Sequence, residues 1–166
     1  MRYTKMHGAG NSFVILENLH GELVSTDLSA LARRLCSPET GPGADGMIVV
    51  TPGHEGADFS MLFYNSDGSL GEMCGNGARC IARYGLEKGF SPDPGRIRFR
   101  ATAGLITARR IDRERYEVRL PDPSVIDLRR EAEGEVCSYV ELGDPGLPHA
   151  VLEVPEAAFD DLDALR

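Results

Sequence analysis

One stretch of the chain combines a nucleophilic side chain with a backbone that can approach a ligand closely. Residues 72–80 read Glu-Met-Cys-Gly-Asn-Gly-Ala-Arg-Cys, and the apolar spacing that follows predicts a helix starting beside Cys74. The free N–H groups and the dipole of a helix N-terminus favour negative charge, so a Cys74 thiolate is expected, as a base or a nucleophile. Gly75 and Gly77 let the backbone come close to a ligand, and unpaired N–H groups there can receive a carboxylate.

The same cysteine also fits a structural role, because free cysteine is among the most buried residue types and the glycines can simply shape a turn. The other three cysteines are expected to be structural. Cys36 lies on the apolar face of a predicted helix, Cys80 in a helix core and Cys137 beside a valine in a predicted strand. No pair has the Cys-x-x-Cys spacing of a zinc or redox motif, so free thiols are expected.

Three longer motifs are specific enough to indicate a family. Residues 5–13 read Lys-Met-His-Gly-Ala-Gly-Asn-Ser-Phe, residues 65–68 read Asn-Ser-Asp-Gly, and the third motif is the stretch around Cys74. With these motifs the chain closely resembles the diaminopimelate epimerase family. Residues 41–50 and 146–151 resemble two further family segments, a glycine-rich loop before a strand and a Gly-x-Pro-His segment. The resemblance covers the whole chain in order, but only the N-terminal part of a typical family member.

The resemblance implies a cofactor-independent isomerase with two similar α/β domains facing a cleft. In this family one cysteine thiolate removes the α-proton of diaminopimelate, and a second cysteine returns a proton to the opposite face. The reaction interconverts the LL and meso isomers in lysine and peptidoglycan-precursor synthesis. By motif match, Cys74 is the first cysteine. The implied substrate-binding residues are Asn11, Asn65, Gly75 and Asn76. Without the resemblance, Asn11 and Asn65 fit turn chemistry equally well.

The chain departs from the family pattern at several places. The family's second cysteine lies in a Gly-x-Gly-Ala-Cys segment after a Glu-Arg pair, and nothing beyond residue 120 resembles either. Cys137 is no substitute, because its strand-like context lacks glycines and a helix start. Leu147 stands where some members have a substrate-binding asparagine, and Gly46 occupies a predicted loop position where others have a polar side chain. We therefore expect a truncated chain that lacks the second catalytic cysteine.

The expected fold class is α+β. The resemblance implies a diaminopimelate-epimerase-like domain, a mostly antiparallel sheet wrapped around a central helix, followed by the start of a second similar domain. The strands are predicted from β-branched and aromatic runs between turns and the helices from apolar residues at helical spacing. The predicted strands are 12–17, 47–51, 58–64, 96–100, 105–110, 116–120, 136–142 and 150–154. The predicted helices run over 28–36, from the turn at 75–77 to a stop at Gly89, and from 155 to 166.

The segment Pro121-Asp122-Pro123 gives the strongest boundary signal, because two prolines in three residues cannot continue a central strand. We predict an N-terminal epimerase-like domain over residues 1–120, which carries the first cysteine. Residues 121–166 are predicted to be the incomplete beginning of a second domain, since so short a segment rarely folds alone.

Charge and hydropathy restrict the expected partners. The 18 Lys and Arg residues against 26 Asp and Glu residues give a net charge of -8, which opposes binding to a nucleic acid. Arg96, Arg98 and Arg100 alternate with apolar residues, and nearby acidic residues favour a solvated strand face over a polyanion site. No apolar run suits a membrane span and no signal peptide is evident, so a cytoplasmic location is expected. No His/Cys cluster has metal-ligand spacing, and neither metal nor cofactor is expected.

Four functional hypotheses follow from these observations. The first is a truncated diaminopimelate epimerase that acts on a small amino acid, for which the resemblance also allows a homodimer. The second is a related PLP-independent racemase or isomerase with another amino acid as substrate. The third is a non-catalytic amino-acid-binding half-module, which the missing second cysteine makes reasonable. The fourth is a hydrolase that pairs Cys74 with His7 or His149, although the resemblance implies structural roles for both histidines.

Overall fold

A computed structural model describes residues 1–132, 134–144 and 147–153 as two compact units, one ending at Pro121 and one beginning at Asp122. The strands of the first unit are β1 (Thr4–Gly8), β2 (Asn11–Glu17), β3 (Gly46–Pro52), β4 (Phe59–Asn65), β5 (Leu70–Gly71), β6 (Arg96–Ala101), β7 (Gly104–Arg110) and β8 (Tyr116–Arg119). Its helices are α1 (Leu28–Cys36) and α2 (Gly75–Glu87). The strands of the second unit are β9 (Pro123–Ala132), β10 (Glu135–Leu142) and β11 (Leu147–Val151).

The sheet of the first unit has the strand order β1-β2-β3-β4-β6-β7-β8, and β5 pairs with β4. Neighbouring strands are antiparallel except for the parallel pairs β2–β3 and β4–β6. Helix α2 contacts the strands at both ends of this order, β1 and β8, and also β2, β6 and β7. The mostly antiparallel sheet therefore wraps around a central helix, which confirms the predicted fold class.

The buried strands of this sheet contribute side chains to two hydrophobic cores, one on each face. Side chains alternate between the two faces of a strand, so neighbouring residues of β2 and β3 enter different cores. The residues that pack with α2 include Phe13, Ile15, Ile48 and Val50. Those that pack with α1 are Val14, Leu16, Met47 and Val49. Because both faces are covered, these strands are continuous apolar runs.

Helix α1 has the boundaries that its sequence predicts. The Asp27 carboxylate accepts the N–H of Ala30 at 3.0 Å and so caps the first turn. The helix ends at Cys36, before Ser37 and Pro38. Neither described helix has the length and apolar character needed to cross a membrane.

The prediction of a loop position at Gly46 was wrong. Gly46 is buried and begins β3, where it pairs with Asn65. A Cβ atom on Gly46 would lie 2.5 Å from Cε2 of Phe63 and 2.9 Å from the carbonyl oxygen of Tyr64. A larger side chain therefore has no room at this position in this arrangement.

The second unit is an antiparallel sheet with the order β11-β10-β9. β9 begins at Pro123 and is an edge strand, which explains how a proline is tolerated there. The last predicted strand was shifted: β11 includes Pro148, again on an edge, and ends at Val151 instead of Val154. Cys137 is buried in β10. The helix predicted over 155–166 lies outside the described residues.

Candidate active site

Cys74 lies immediately before α2 and is its N-cap residue. The backbone of Cys74 is extended, with φ -134° and ψ 113°, and its Sγ accepts the N–H of Gly77 at 3.5 Å. Its carbonyl oxygen accepts the N–H of Ala78 at 2.8 Å. The sulfur is thus held at the positive end of the helix dipole, where negative charge is favoured.

The other cysteines are buried, as the sequence predicts, and Cys74 alone is partly exposed. Burial raises the pKa of the Cys36 thiol. Burial, with a smaller contribution from neighbouring Cys74, raises the pKa of Cys80 to about 11. Cys36 and Cys80 therefore remain neutral thiols near pH 7, and Cys74 is the thiol that a solute can reach.

The hairpin between β1 and β2 brings Asn11 to Cys74. Ala9 and Gly10 at its tip have φ 52° and 85°, the positive values that a type I′ turn requires. Gly8 pairs with Asn11 across the hairpin. The Cys74 thiol donates to Oδ1 of Asn11 at 3.7 Å, a contact between residues 63 positions apart.

A second set of contacts anchors this hairpin to the loop that precedes β3. Oδ2 of Asp45 accepts the backbone N–H and the hydroxyl of Ser12 at 2.6 Å and 2.9 Å. These hydrogen bonds hold the pKa of the Asp45 carboxyl below its usual range. Lys5 Nζ donates to the carbonyl oxygen of Pro42 at 2.9 Å. The carboxylate thereby fixes the residue next to Asn11, a role that no local sequence pattern indicates.

The first turn of α2 presents backbone donors beside the sulfur. The N–H groups of Gly75 and Asn76 find no acceptor within the part of the chain that the structure describes. Oδ1 of Asn76 accepts a hydrogen bond from Nη2 of Arg79, which fixes the orientation of the amide. A Cβ on Gly8 would lie 3.0 Å from the carbonyl oxygen of Asn76, so glycine is needed for β1 to approach the helix this closely. Sequence reasoning did not single out Arg79.

The comparison with known sequences identifies the family. Residues 3–123 match the family described as Diaminopimelate epimerase. The chain belongs to the diaminopimelate epimerase family.

Two curated diaminopimelate epimerases illustrate the extent of the match. The enzyme of a Nitratiruptor species is 38% identical over 100% of this chain and 62% of its own length. That of Carboxydothermus hydrogenoformans is 34% identical over 98% of this chain and 64% of its own length. The chain therefore spans about three-fifths of the length of these curated relatives.

Solved structures share the fold of this family member at low sequence identity. A predicted epimerase from Pseudomonas aeruginosa has a TM-score of 0.65 and 13% identity, over 99% of this chain and 66% of that one. A probable proline racemase from Agrobacterium radiobacter K84, with bound carbonate, has a TM-score of 0.61 and 17% identity, over 94% of this chain and 54% of that one. These similarities support the α+β epimerase-like fold.

The described hydrogen bonds of Asn65 lie within the turn that follows β4. Asn65 ends β4, and its Nδ2 donates to Oγ of Ser69 at 2.9 Å. Its carbonyl oxygen accepts the N–H of Gly68 at 3.0 Å. Among the described residues the Asn65 amide is used within this turn. Asn11 contacts the Cys74 thiol, and Gly75 and Asn76 follow it in the first turn of α2.

His7 does not form a hydrogen bond with the Cys74 thiol among the described residues of the first unit. The hydrogen-bond partners of the Cys74 sulfur there are Asn11 and Gly77, and exposed His7 is not one of them. Nδ1 of His149 lies 3.0 Å from the carbonyl oxygen of Leu147 within β11. No group of three or more His, Cys, Asp or Glu residues in the described ranges is arranged to hold a metal.

Proposed function

We propose that this chain provides the first cysteine half-site of a diaminopimelate epimerase, with Cys74 as the catalytic proton carrier. The proposal rests on one observation above all. The accessible thiol is the N-cap of α2, in contact with the Asn11 amide and next to two N–H groups without an acceptor among the described residues. Membership of the epimerase family supports the same assignment.

In the proposed reaction the substrate α-carboxylate binds the N–H groups of Gly75 and Asn76. The Cys74 thiolate removes the α-proton and becomes a thiol, while the electron pair of the C–H bond stays on the α-carbon and spreads into the carboxylate. The helix N-terminus stabilises this charge, because its donors are already oriented towards it. The amide of Asn11 can accept a hydrogen bond from the substrate ammonium and so orient the α-carbon. Asn65 is the remaining proposed substrate contact.

Inversion also requires an acid on the opposite face of the substrate. Cys36, Cys80 and Cys137 are buried, so none of them is accessible for this role. We assign the second acid to the part of the family's length that this chain does not span, and we interpret residues 121–166 as the beginning of the second domain. A cytoplasmic location is part of this proposal, since the four cysteines form no disulfide in the structure. Homodimerisation stays a prediction, and analytical ultracentrifugation measures it.

The test is α-proton exchange with LL-diaminopimelate in D₂O, followed by mass spectrometry and chiral chromatography. The chain should introduce deuterium at the α-carbon, and Cys74→Ala should abolish the exchange. Cys36→Ala removes a different thiol, which packs in the α1 core, and should retain it. Exchange without inversion identifies a lone base, whereas exchange with inversion locates a second acid in the assembly.

The same experiment distinguishes the half-module hypothesis. If no deuterium enters but diaminopimelate still protects Cys74 from alkylation, the chain binds the amino acid without catalysing proton transfer. If exchange occurs with proline and not with diaminopimelate, a related racemase activity replaces the epimerase assignment. Exchange that persists in Cys74→Ala would refute the role of the thiol.

A further inference from the structure

A cavity lies over the outer face of the strands β6, β7 and β8, and none of the residues described around Cys74 lines it. Its volume is about 540 Å³. Ile97 and Phe99 of β6 point into the core, whereas Arg96 and Arg98 alternate with them and point outwards. We call this feature the arginine cavity; its basic lining residues are Arg96, Arg98, Arg109 and Arg119.

The strand register of the arginine cavity places like charges opposite each other. Arg96 pairs directly with Arg109 across β6 and β7, and like charges in this position destabilise a sheet. Arg109 is compensated by a two-pronged contact with Glu117, at 3.0 Å and 2.8 Å. The guanidinium groups of Arg96 and Arg98 have no partner within the described residues. An anion bound by Arg96 and Arg98 would neutralise their charge and so weaken the repulsion between Arg96 and Arg109.

Each of the two aspartates that line the arginine cavity uses one carboxylate oxygen as an acceptor for backbone N–H groups. Oδ2 of Asp58 accepts the N–H of Arg98 at 2.7 Å. Oδ1 of Asp93 accepts the N–H groups of Gly95 and Arg96 at 2.8 Å and 3.2 Å. These bonds hold the loop before β6 and the start of the strand in place, and they leave the guanidinium donors of Arg96 and Arg98 available to a ligand.

We propose that the arginine cavity binds a small molecule that carries a diphosphate group. Residues two apart on one face of a strand are separated by roughly 6.5 Å, so Arg96 and Arg98 can each address one phosphoryl group. The planar guanidinium fork matches phosphate oxygens in a two-point contact. Thr107 lies opposite Arg98 and adds a hydroxyl donor. The volume lies in the range of small-molecule sites, about 300–1,000 Å³, so the cavity accommodates a larger organic group as well.

Isothermal titration of the 166-residue chain with pyrophosphate at moderate salt tests the proposal. We expect one binding site for pyrophosphate. Arg96→Gln and Arg98→Gln should each lower the affinity about tenfold or more, because each removes a charge-assisted contact. Arg96→Lys keeps the charge but lacks the guanidinium fork, and it should lower the affinity for pyrophosphate less than Arg96→Gln does. Arg34→Gln removes an exposed arginine of α1 that does not line the cavity, and it should bind as the unaltered chain does.

Orthophosphate and succinate distinguish the chemistry of the ligand. Orthophosphate should bind more weakly than pyrophosphate, and succinate should compete poorly. Absence of pyrophosphate binding, equal binding of succinate, or binding that survives both glutamine substitutions would overturn the proposal. Circular dichroism of each variant verifies the fold. Because no readout depends on proton exchange, the result is independent of the proposed epimerase activity.

Discussion

Replacing Cys74 with serine should make the protein more stable while removing proton transfer. The sulfur of Cys74 caps α2 through a contact of 3.5 Å to the N–H of Gly77. Sulfur is a weak hydrogen-bond acceptor, whereas a serine hydroxyl is among the best N-cap groups. The same hydroxyl can also donate to Oδ1 of Asn11, which now accepts from the thiol. Alanine offers neither contact and leaves the Asn11 oxygen without this donor.

The size of the effect follows from the capping contact. Replacing serine by alanine at an N-cap lowers the free energy of unfolding by about 1 kcal/mol, within a range of about 0.5–2 kcal/mol. The stability of the chain with cysteine at residue 74 should lie between those of the serine and alanine variants. For a chain of this length, a difference of about 1 kcal/mol corresponds to a shift in melting temperature of about 2–4 °C.

Urea unfolding followed by far-ultraviolet circular dichroism, under reducing conditions, measures this order. The free energy of unfolding should decrease from Cys74→Ser to the unaltered chain to Cys74→Ala, with the slope against urea unchanged. Both variants should lose deuterium exchange. If the serine variant were no more stable than the alanine variant, the assignment of residue 74 as the cap of α2 would be refuted.

Three further substitutions test other parts of the structure. Gly46→Asn should lower the free energy of unfolding by about 1–3 kcal/mol, because its Cβ would lie 2.5 Å from Phe63 Cε2; an unchanged urea midpoint would contradict the close packing. Ala9→Asn should raise the melting temperature, since Asn-Gly suits a turn in which residue 9 has φ 52°; a lower melting temperature would count against a strained alanine. Burial raises the pKa of Cys80 to about 11, so its neutral thiol contributes fully to the stability of the folded state below pH 9. This contribution is lost as the pH rises towards 11. The stability difference from Cys80→Ala should shrink over that interval, and iodoacetamide at pH 8 should modify Cys74 and spare Cys80.

Much of the fold is predictable from local sequence patterns. The apolar spacing after Cys74 predicts α2, and Asp27 predicts the start of α1. Strand β1 escapes prediction because Thr-Lys-Met-His-Gly lies at a sheet edge, where no residue is fully buried and the apolar signal is weak. β9 is missed for a related reason, since Pro123 signals a break and yet begins an edge strand.

The site is less predictable than the helix that carries it. Local patterns indicate a thiol at a helix start, but the contact between Cys74 and Asn11 depends on how β1 and β2 are placed against α2. The family resemblance supplied Asn11, and no pattern indicated that Asp45 anchors its neighbour Ser12. The prediction of a loop at Gly46 was wrong because its glycine-rich surroundings resemble a loop. The Phe63 ring, distant in sequence, limits this position to glycine.

The separation of Cys74 and Asn11 in sequence has a consequence for how the protein folds. Their contact closes a loop of 63 residues, and pairing between distant segments is slow because the entropy of loop closure is lost before the contacts form. The β1–β2 hairpin and α2 are local elements that can form earlier. Until they meet, the thiol lacks its amide partner. The time at which the Cys74–Asn11 contact forms during refolding therefore records the assembly of the site itself.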